Sequence, residues 1–183
     1  GTCLGYVEKD RAVTGEKCKA GDVILSLRSS GMHSNGFTLA RKVLESSNIS
    51  LKDKAKGLSG TVGMELLTPT EIYVKQVLGI TKEHDVHGLV NITGGGLRNL
   101  LRMRKGLRYV IDDPVSPAPI FDLIQELGDV EEKEMYQTFN MGMGSLVVLE
   151  EEEAQEACRI MGPGSRVIGS VVGEGLRAGH LAF

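Results

Sequence analysis

With 183 residues, 41% of them apolar and 25% charged, the chain has the length and composition of one ordinary globular domain. A formal net charge of −3 and an aromatic content of 4% argue against the basic, aromatic surfaces of nucleic-acid-binding and membrane-surface proteins. No apolar run is long enough to cross a bilayer, and three widely spaced cysteines without a CxxC pair are typical of a reducing cytosol. We therefore expect a cytoplasmic protein with no nucleic-acid partner and no membrane partner.

In the first half of the chain, the apolar pattern predicts two strands and two helices. Strands are expected at residues 3–7 and 23–27, and apolar residues at helical spacing predict a helix over residues 37–47. The segment Thr-Pro-Thr-Glu at residues 68–71 has the composition of a helix start. Its first threonine can cap the helix, its proline needs no N–H there, and its glutamate completes a capping box. This second helix is expected to end near Lys82.

The second half of the chain predicts more strands than helices and indicates the fold class. Helices are expected directly after Gly96, over residues 116–127, over residues 131–138 and from residue 150 onward. Strands are expected at residues 87–92, 108–111, 145–149, 167–172 and 180–183. Because strand–helix pairs alternate with adjacent strands, we expect an α+β (mixed α/β) fold with a mixed, largely antiparallel sheet and helices packed on it. No linker, repeat or low-complexity segment interrupts residues 1–183, so a single domain is expected.

Two loops share one arrangement, in which a strand is followed by small polar residues and then by a helix. They are Ser-Ser-Gly-Met-His-Ser-Asn-Gly at residues 29–36 and Thr-Gly-Gly-Gly at residues 93–96. A helix start leaves backbone N–H groups unpaired and carries partial positive charge, and glycine leaves room for an anion to approach them. The two loops together therefore predict a phosphate site composed of Ser29, Ser30, Gly31, Gly36, Thr93, Gly94, Gly95 and Gly96.

An alternative remains for each loop, because glycine after a strand is often only a tight turn. Neither loop matches the dinucleotide fingerprint or the lysine-containing P-loop, so neither nucleotide motif is assigned. His33, inside the first loop, can donate a hydrogen bond to a phosphate or move a proton near neutral pH.

A third glycine-containing segment, Phe-Asn-Met-Gly-Met-Gly at residues 139–144, precedes a predicted strand. Its alternate glycines expose one side of an extended backbone, and Asn140 offers both a donor and an acceptor. A β-bulge beside a core phenylalanine and two core methionines is the alternative. We expect no metal site, because His84 and His87 have no third ligand in the sequence and no acidic pair accompanies the glycine loops.

These segments together resemble the C-terminal domain of the aminoimidazole ribonucleotide (AIR) synthetases, the phosphoribosylformylglycinamidine cyclo-ligase family. The Ser-Ser-Gly-x-His-Ser-Asn-Gly loop and the Phe-Asn-Met-Gly-x-Gly segment are the most specific part of the resemblance. Further matching segments lie at residues 21–25, 41–44, 67–75, 92–97, 135–138 and 167–171. Three features depart from the family pattern: Arg28 replaces a usual proline, Asn91 replaces a common histidine, and the helix after Gly96 is one residue shorter.

The resemblance implies an ATP-dependent ring closure in purine biosynthesis. ATP phosphorylates the formyl amide oxygen of formylglycinamidine ribonucleotide, an amidine nitrogen attacks that carbon, and phosphate leaves as the imidazole closes. His33 and Asn35 are carried over as the catalytic residues at the reacting end, with His33 acting as acid, base or simple hydrogen-bond donor. Asn140 and Gly142 are expected to form the opposite wall of the substrate site.

The resemblance also implies that half of the enzyme lies outside this chain. In the family, an N-terminal domain carries most of the ATP site, the acidic Mg²⁺ ligands and the main dimer contact. We therefore expect ATP and Mg²⁺ as cofactors of a homodimeric full-length enzyme, formylglycinamidine ribonucleotide as its substrate, and an inactive chain in isolation.

Two other classes of function remain open. The first is another ATP-dependent enzyme of the superfamily, such as a selenophosphate synthetase, a thiamine-phosphate kinase or a hydrogenase maturation enzyme. The second is a non-catalytic phosphate-binding domain, in which the polar residues of the loops would be expected to have decayed.

Overall fold

The apolar runs of the chain form one six-stranded sheet. The computed structural model describes residues 2, 4–173 and 181–182. The strands are β1 Asp22–Arg28, β2 Gly88–Asn91, β3 Leu107–Ile111, β4 Met143–Glu150, β5 Ser165–Gly173 and β6 Leu181–Ala182. The α-helices are α1 Phe37–Ser46, α2 Val62–Leu66, α3 Val74–Glu83, α4 Pro119–Gly128, α5 Glu132–Thr138 and α6 Ala154–Met161. Shorter 3₁₀ helices occupy Lys9–Arg11, Gly96–Arg102 and Glu151–Glu153.

The strand order is β2-β4-β1-β5-β3-β6, and each pairing between described strands is antiparallel. The α+β class and the largely antiparallel sheet expected from the sequence are therefore confirmed. None of the helices in the described part of the chain combines the length and the apolarity needed to cross a bilayer.

The sheet separates two hydrophobic clusters. On one face, Ile24 and Val148 pack beneath α1, α2, α4 and α5, and on the other face Leu25 and Val147 pack beneath α3 and α6. β1 and β4 are consequently buried on both faces along nearly their whole length. This explains why both strands have almost continuously apolar sequences, whereas a strand with one wet face would alternate.

The position of β4 determines where two glycine-rich loops emerge. β4 lies between β1 and β2 and runs antiparallel to both, so β1 and β2 point in the same direction. Arg28 at the end of β1 pairs with Met143, and Asn91 at the end of β2 pairs with Ser145. The loops after β1 and β2 therefore meet the segment before β4 at one end of the strands.

The helix start predicted at residue 68 is wrong, because α3 begins only at Val74. The segment before α3 is held by the loop after β1 instead: Ser30 Oγ donates to Pro69 O over 2.6 Å, and Glu71 N lies 3.5 Å from His33 Nε2. These tertiary hydrogen bonds occupy groups that a helical turn would have used. α3 has no side-chain cap, whereas Thr61 caps the preceding helix α2, with its hydroxyl accepting from Met64 N.

Three other predicted elements differ from the structure, and a fourth is described only in part. Residues 4–7 form no strand among the described residues, and Leu4 and Tyr6 are fully exposed; Cys3 lies outside the described residues. The helix after Gly96 is a 3₁₀ helix, and the helix predicted from residue 116 begins at Pro119. In the predicted strand 180–183, Leu181 and Ala182 pair with β3, and the remaining two residues lie outside the described part.

Candidate functional site

Three segments form the candidate site, and we call them the site loops: the first loop (residues 29–36), the second loop (93–96) and the third loop (139–144). The first two touch directly, because a methyl group added at Gly94 would lie 3.1 Å from Asn35 Oδ1. The first and third loops are joined through the side chain of Asn140. The structure thus brings together all three segments that the sequence selected.

Asn140 holds the first loop onto the start of β4. Its Oδ1 accepts hydrogen bonds from Ser29 Oγ at 2.8 Å and from Gly142 N at 3.0 Å, and its Nδ2 donates to Gly31 O at 2.8 Å. A backbone bond from Ser29 N to Gly142 O, also 2.8 Å, completes this frame. Asn140 is only 4% exposed. Its side chain therefore positions the loop, and the role of substrate wall that the resemblance implied stays an expectation.

His33 occupies the centre of the first loop in a left-handed backbone conformation, with φ = 58°. Its Nε2 faces the amide of Ser30 at 3.2 Å and the amide of Glu71 at 3.5 Å. Because Nε2 accepts these N–H groups, the proton of the neutral ring lies on Nδ1, which has no hydrogen-bond partner in the described part of the chain.

The protonation of His33 follows from its burial. Burial lowers the pKa of His33, and the carboxylate of Glu71 opposes part of this shift. The ring is therefore neutral at pH 7, with one N–H available to a ligand from Nδ1. Protonating Nε2 would break the contacts that close the loop, so the arrangement favours hydrogen-bond donation over repeated proton transfer at Nε2.

Two of the selected glycines are required by packing inside the domain. A Cβ at Gly36, where φ is 83°, would overlap the ring of Phe139, and a Cβ at Gly96, where φ is 54°, would overlap the carbonyl oxygen of Tyr136. Neither position is open to a ligand on that side. For these two residues, the tight-turn explanation left open by the sequence accounts for the glycine.

Gly94 and Gly95, by contrast, face outward. Gly94 is exposed, and no atom lies within 4 Å of a Cβ built at Gly95. The turn is closed by Gly96 N donating to Thr93 O at 2.9 Å, while the amides of Gly94 and Gly95 donate to no other group in the described part of the chain. Two adjacent free amides, with only the Asn35 side chain beside them, can donate hydrogen bonds to an anion.

Asn35 and Thr93 are the side chains best placed to assist those amides. Asn35 is half-buried, touches Gly94, and makes no hydrogen bond to any described residue. Thr93 is half-buried at the start of the turn. α1 adds a helix start directly after Gly36 without a side-chain cap, so its first amides are also unpaired. Ser30, by contrast, uses its hydroxyl on Pro69 O.

Two residues that sequence reasoning did not select support this arrangement. Asn99, 3% exposed, donates from Nδ2 to Gly96 O at 2.9 Å and so holds the second loop. Tyr73 donates to Arg28 O at 2.9 Å and covers Gly144, with its ring 6.2 Å from that of His33. Asn99 had a signal, an amide directly before two leucines in the segment after Gly96. Tyr73 had none, since its spacing suits a helix face.

The described residues contain no cluster of three His, Cys, Asp or Glu side chains that could hold a metal ion. Of the two histidines considered above, His87 is hydrogen-bonded, with Nδ1 2.8 Å from the buried Asp22 carboxylate. His84 Nδ1 lies 3.1 Å from the Glu153 carboxylate but makes no hydrogen bond to a described residue. Both lie away from the site loops.

The fold and the site loops define an α+β domain in which glycine-rich loops present free backbone amides at one end of the strands of an antiparallel sheet. Residues 19–180 match the family model described as AIR synthase related protein, C-terminal domain, and the chain belongs to that family.

Two curated relatives and one solved structure illustrate the similarity. The chain is 48% identical to the phosphoribosylformylglycinamidine cyclo-ligase of Methanosarcina barkeri over 184 residues, covering 100% of this chain and 54% of the relative. The enzyme of the same name from Methanopyrus kandleri is 52% identical over 154 residues, 84% of this chain and 44% of the relative. The chain therefore spans about half the length of these relatives. The hydrogenase maturation protein HypE in complex with ATP shares the fold, with a TM-score of 0.59 and 20% identity over 93% of this chain and 48% of that one.

Proposed function

We propose that this chain is the C-terminal, substrate-side domain of an ATP-dependent cyclo-ligase that converts formylglycinamidine ribonucleotide to aminoimidazole ribonucleotide in purine biosynthesis. The observation that carries the proposal is the 48% identity to a protein of that name over the full length of this chain. The free amides beside Asn35 supply the matching chemistry, because both the substrate and the phosphorylated intermediate carry phosphate.

In the proposed reaction, ATP phosphorylates the formyl amide oxygen, and an amidine nitrogen then displaces phosphate as the ring closes. The task of this domain is to hold a flexible ribonucleotide with the nitrogen near the carbon that it attacks. Such positioning can supply a large part of the reduction in the activation barrier. The amides of Gly94 and Gly95, with the hydroxyl of Thr93, bind a phosphate group. Such pre-organised donors stabilise charge without reorganising during the reaction.

Asn35 and His33 act at the reacting end in this proposal. The Asn35 side chain is half-buried and unpaired, so it donates to the ligand without losing a bond within the protein. Neutral His33 donates from Nδ1, while its Nε2 keeps the loop closed. The Ser29–Asn140–Gly142 frame fixes the distance between these donors.

As the family resemblance implies, the proposal assigns Mg²⁺ and most of the ATP site to an N-terminal domain of the full-length enzyme. We include in the proposal that the full-length enzyme is a cytoplasmic homodimer, and that residues 1–183 are one domain that follows an N-terminal domain.

Product detection by mass spectrometry tests the proposal. Full-length protein is incubated with ATP, Mg²⁺ and formylglycinamidine ribonucleotide, and in parallel with selenide or thiamine phosphate as the substrates of the alternative enzymes. Aminoimidazole ribonucleotide in the first reaction supports the proposal. Product from either other substrate, or from none, contradicts it and favours another superfamily enzyme or a non-catalytic domain.

A further inference from the structure

β2 forms an open edge of the sheet. Among the described strands it pairs only with β4, in a register that places Gly88 opposite Val148 and Val90 opposite Leu146. Ile92 N donates to Gly144 O at 2.9 Å in the same register. Because hydrogen-bonded residues alternate along an antiparallel ladder, residues 88, 90 and 92 face β4. The N–H and C=O groups of Leu89 and Asn91 therefore point away from the sheet.

This edge is short, with four residues, but it lacks other features that prevent a free edge from pairing. The sequence Gly-Leu-Val-Asn of β2 contains no charge and no proline, and its pairing with β4 has no register shift. Natural proteins protect exposed edges with such features or cover them with another segment. An edge strand without a charge or a proline is expected to be covered in the intact protein.

A groove lies on each side of this edge. One groove, with a volume of about 620 Å³, lies between β2 and α3; Ile72, Val74 and Leu78 in its wall are 75%, 58% and 54% exposed. The other, with a volume of about 410 Å³, is lined by polar groups that include Asn99 and Arg102. A strand added to β2 would place alternate side chains into the two grooves.

From this geometry we propose that an extended segment of the N-terminal half of the full-length protein pairs with β2, with apolar side chains in the α3 groove and polar or acidic ones beside Arg102. This inference rests on the proposed function only in that the chain is part of a longer protein. The chain spans about half the length of the relative from Methanosarcina barkeri.

The course of the chain before β1 indicates which segment pairs with β2. Val13, Thr14 and Gly15 line the polar groove, and residues 10–13 line a cavity with His87, so the chain before Thr14 passes the start of β2. Leu4 and Tyr6, a few residues earlier, are 94% and 103% exposed. Two large apolar residues at such exposure, two positions apart in the chain, are expected to contact protein outside this chain.

Amide hydrogen exchange on the full-length protein tests this pairing. We expect the amides of Leu89 and Asn91 to exchange at least about a hundredfold more slowly than in an unstructured peptide, although they have no partner within this chain. Leu78→Lys, which places a charge in the α3 groove, is expected to accelerate both by at least about tenfold. Leu51→Lys is the matched control, since Leu51 is 55% exposed and Leu78 is 54% exposed.

Three outcomes would overturn the proposal. The first is exchange of Leu89 and Asn91 at unprotected rates in the full-length protein while Val90 stays protected. The second is protection that disappears on dilution, which would assign the edge to a second copy of the protein. The third is equal protection in the Leu78→Lys and Leu51→Lys proteins. None of these measurements depends on catalytic activity, so they fail independently of the proposed function.

Discussion

Ser29 and Asn140 are 111 residues apart in the sequence, and their side chains share a 2.8 Å hydrogen bond at the centre of the candidate site. That bond joins the end of β1 to the start of β4, and Asn140 adds two further bonds to backbone groups of the first and third loops. One buried amide therefore sets the spacing of the donors that we assign to ligand binding.

Asn140→Ala is expected to destabilise the domain by about 3 kcal/mol, because it leaves three hydrogen-bonding groups unpaired at about 1 kcal/mol each. The measurement is the free energy of unfolding from urea denaturation of the chain. Asn35→Ala is the control, because Asn35 bonds to no described residue, and it should change stability by less than about 0.5 kcal/mol. Equal losses for both variants would contradict the division into a positioning and a ligand-binding asparagine.

Gly36→Ala is expected to cost more than a left-handed backbone conformation alone. Gly21 offers the comparison, since its φ of 95° is similar to the 83° of Gly36, yet no atom lies within 4 Å of its added Cβ. Gly21→Ala should cost about 1 kcal/mol of unfolding free energy, and Gly36→Ala at least about 3 kcal/mol because its methyl meets the ring of Phe139. Similar values for the two would show that Phe139 moves aside freely.

The burial of His33 should make stability depend on pH. Because its pKa in the folded chain is below that of the unfolded chain, the unfolded state binds more protons as the pH falls. The contribution is present above the unfolded pKa of about 6.5 and is lost as the pH falls through the folded pKa. His33→Asn, which tolerates the left-handed backbone, should reduce the pH dependence of the unfolding free energy below pH 6.5. An unchanged profile would show that the ring is already protonated or solvated.

Asn35→Ala in the full-length protein is expected to lower kcat/KM for the ribonucleotide by about 10- to 100-fold, the effect of losing one hydrogen bond to a charged group. Steady-state kinetics with varied ribonucleotide measures it. Ser34→Ala is the control on the same loop, because Ser34 is exposed and its hydroxyl lies 3.4 Å from Thr70. A wild-type value for Asn35→Ala would remove Asn35 from the site.

Those parts of the site that depend on local pattern could be predicted from the sequence. Strand ends followed by glycine and small polar residues mark Gly94 and Asn35 without any knowledge of the fold, because the strand period and the turn residues are local signals. The first and second loops lie at the same end of the sheet because β4 lies between β1 and β2. The pairing of β2 with β4 joins residues more than 50 positions apart. The sequence motif could suggest the meeting of the loops, but only the sheet order establishes it.

The incorrect helix start at residue 68 has a physical cause, which is that tertiary hydrogen bonds outcompete local preferences. Residues 68–71 have a good helix-start composition, yet Pro69 O and Glu71 N are engaged by Ser30 and His33 of the first loop. At Gly36 and Gly96 the absence of a side chain also makes room for Phe139 and Tyr136, which the sequence pattern did not indicate. Which glycine faces a ligand and which faces a neighbouring side chain depends on packing, and no spacing rule contains that information.

The central claim is that the amides of Gly94 and Gly95, together with Asn35, bind the phosphate of the ligand. A crystal structure of the full-length protein with formylglycinamidine ribonucleotide tests it most directly. We expect a phosphate oxygen at about 2.7–3.2 Å from the amide nitrogen of Gly94 or Gly95, and Asn35 Nδ2 in contact with the same ligand. A ribonucleotide bound elsewhere, with both glycine amides facing solvent, would contradict it.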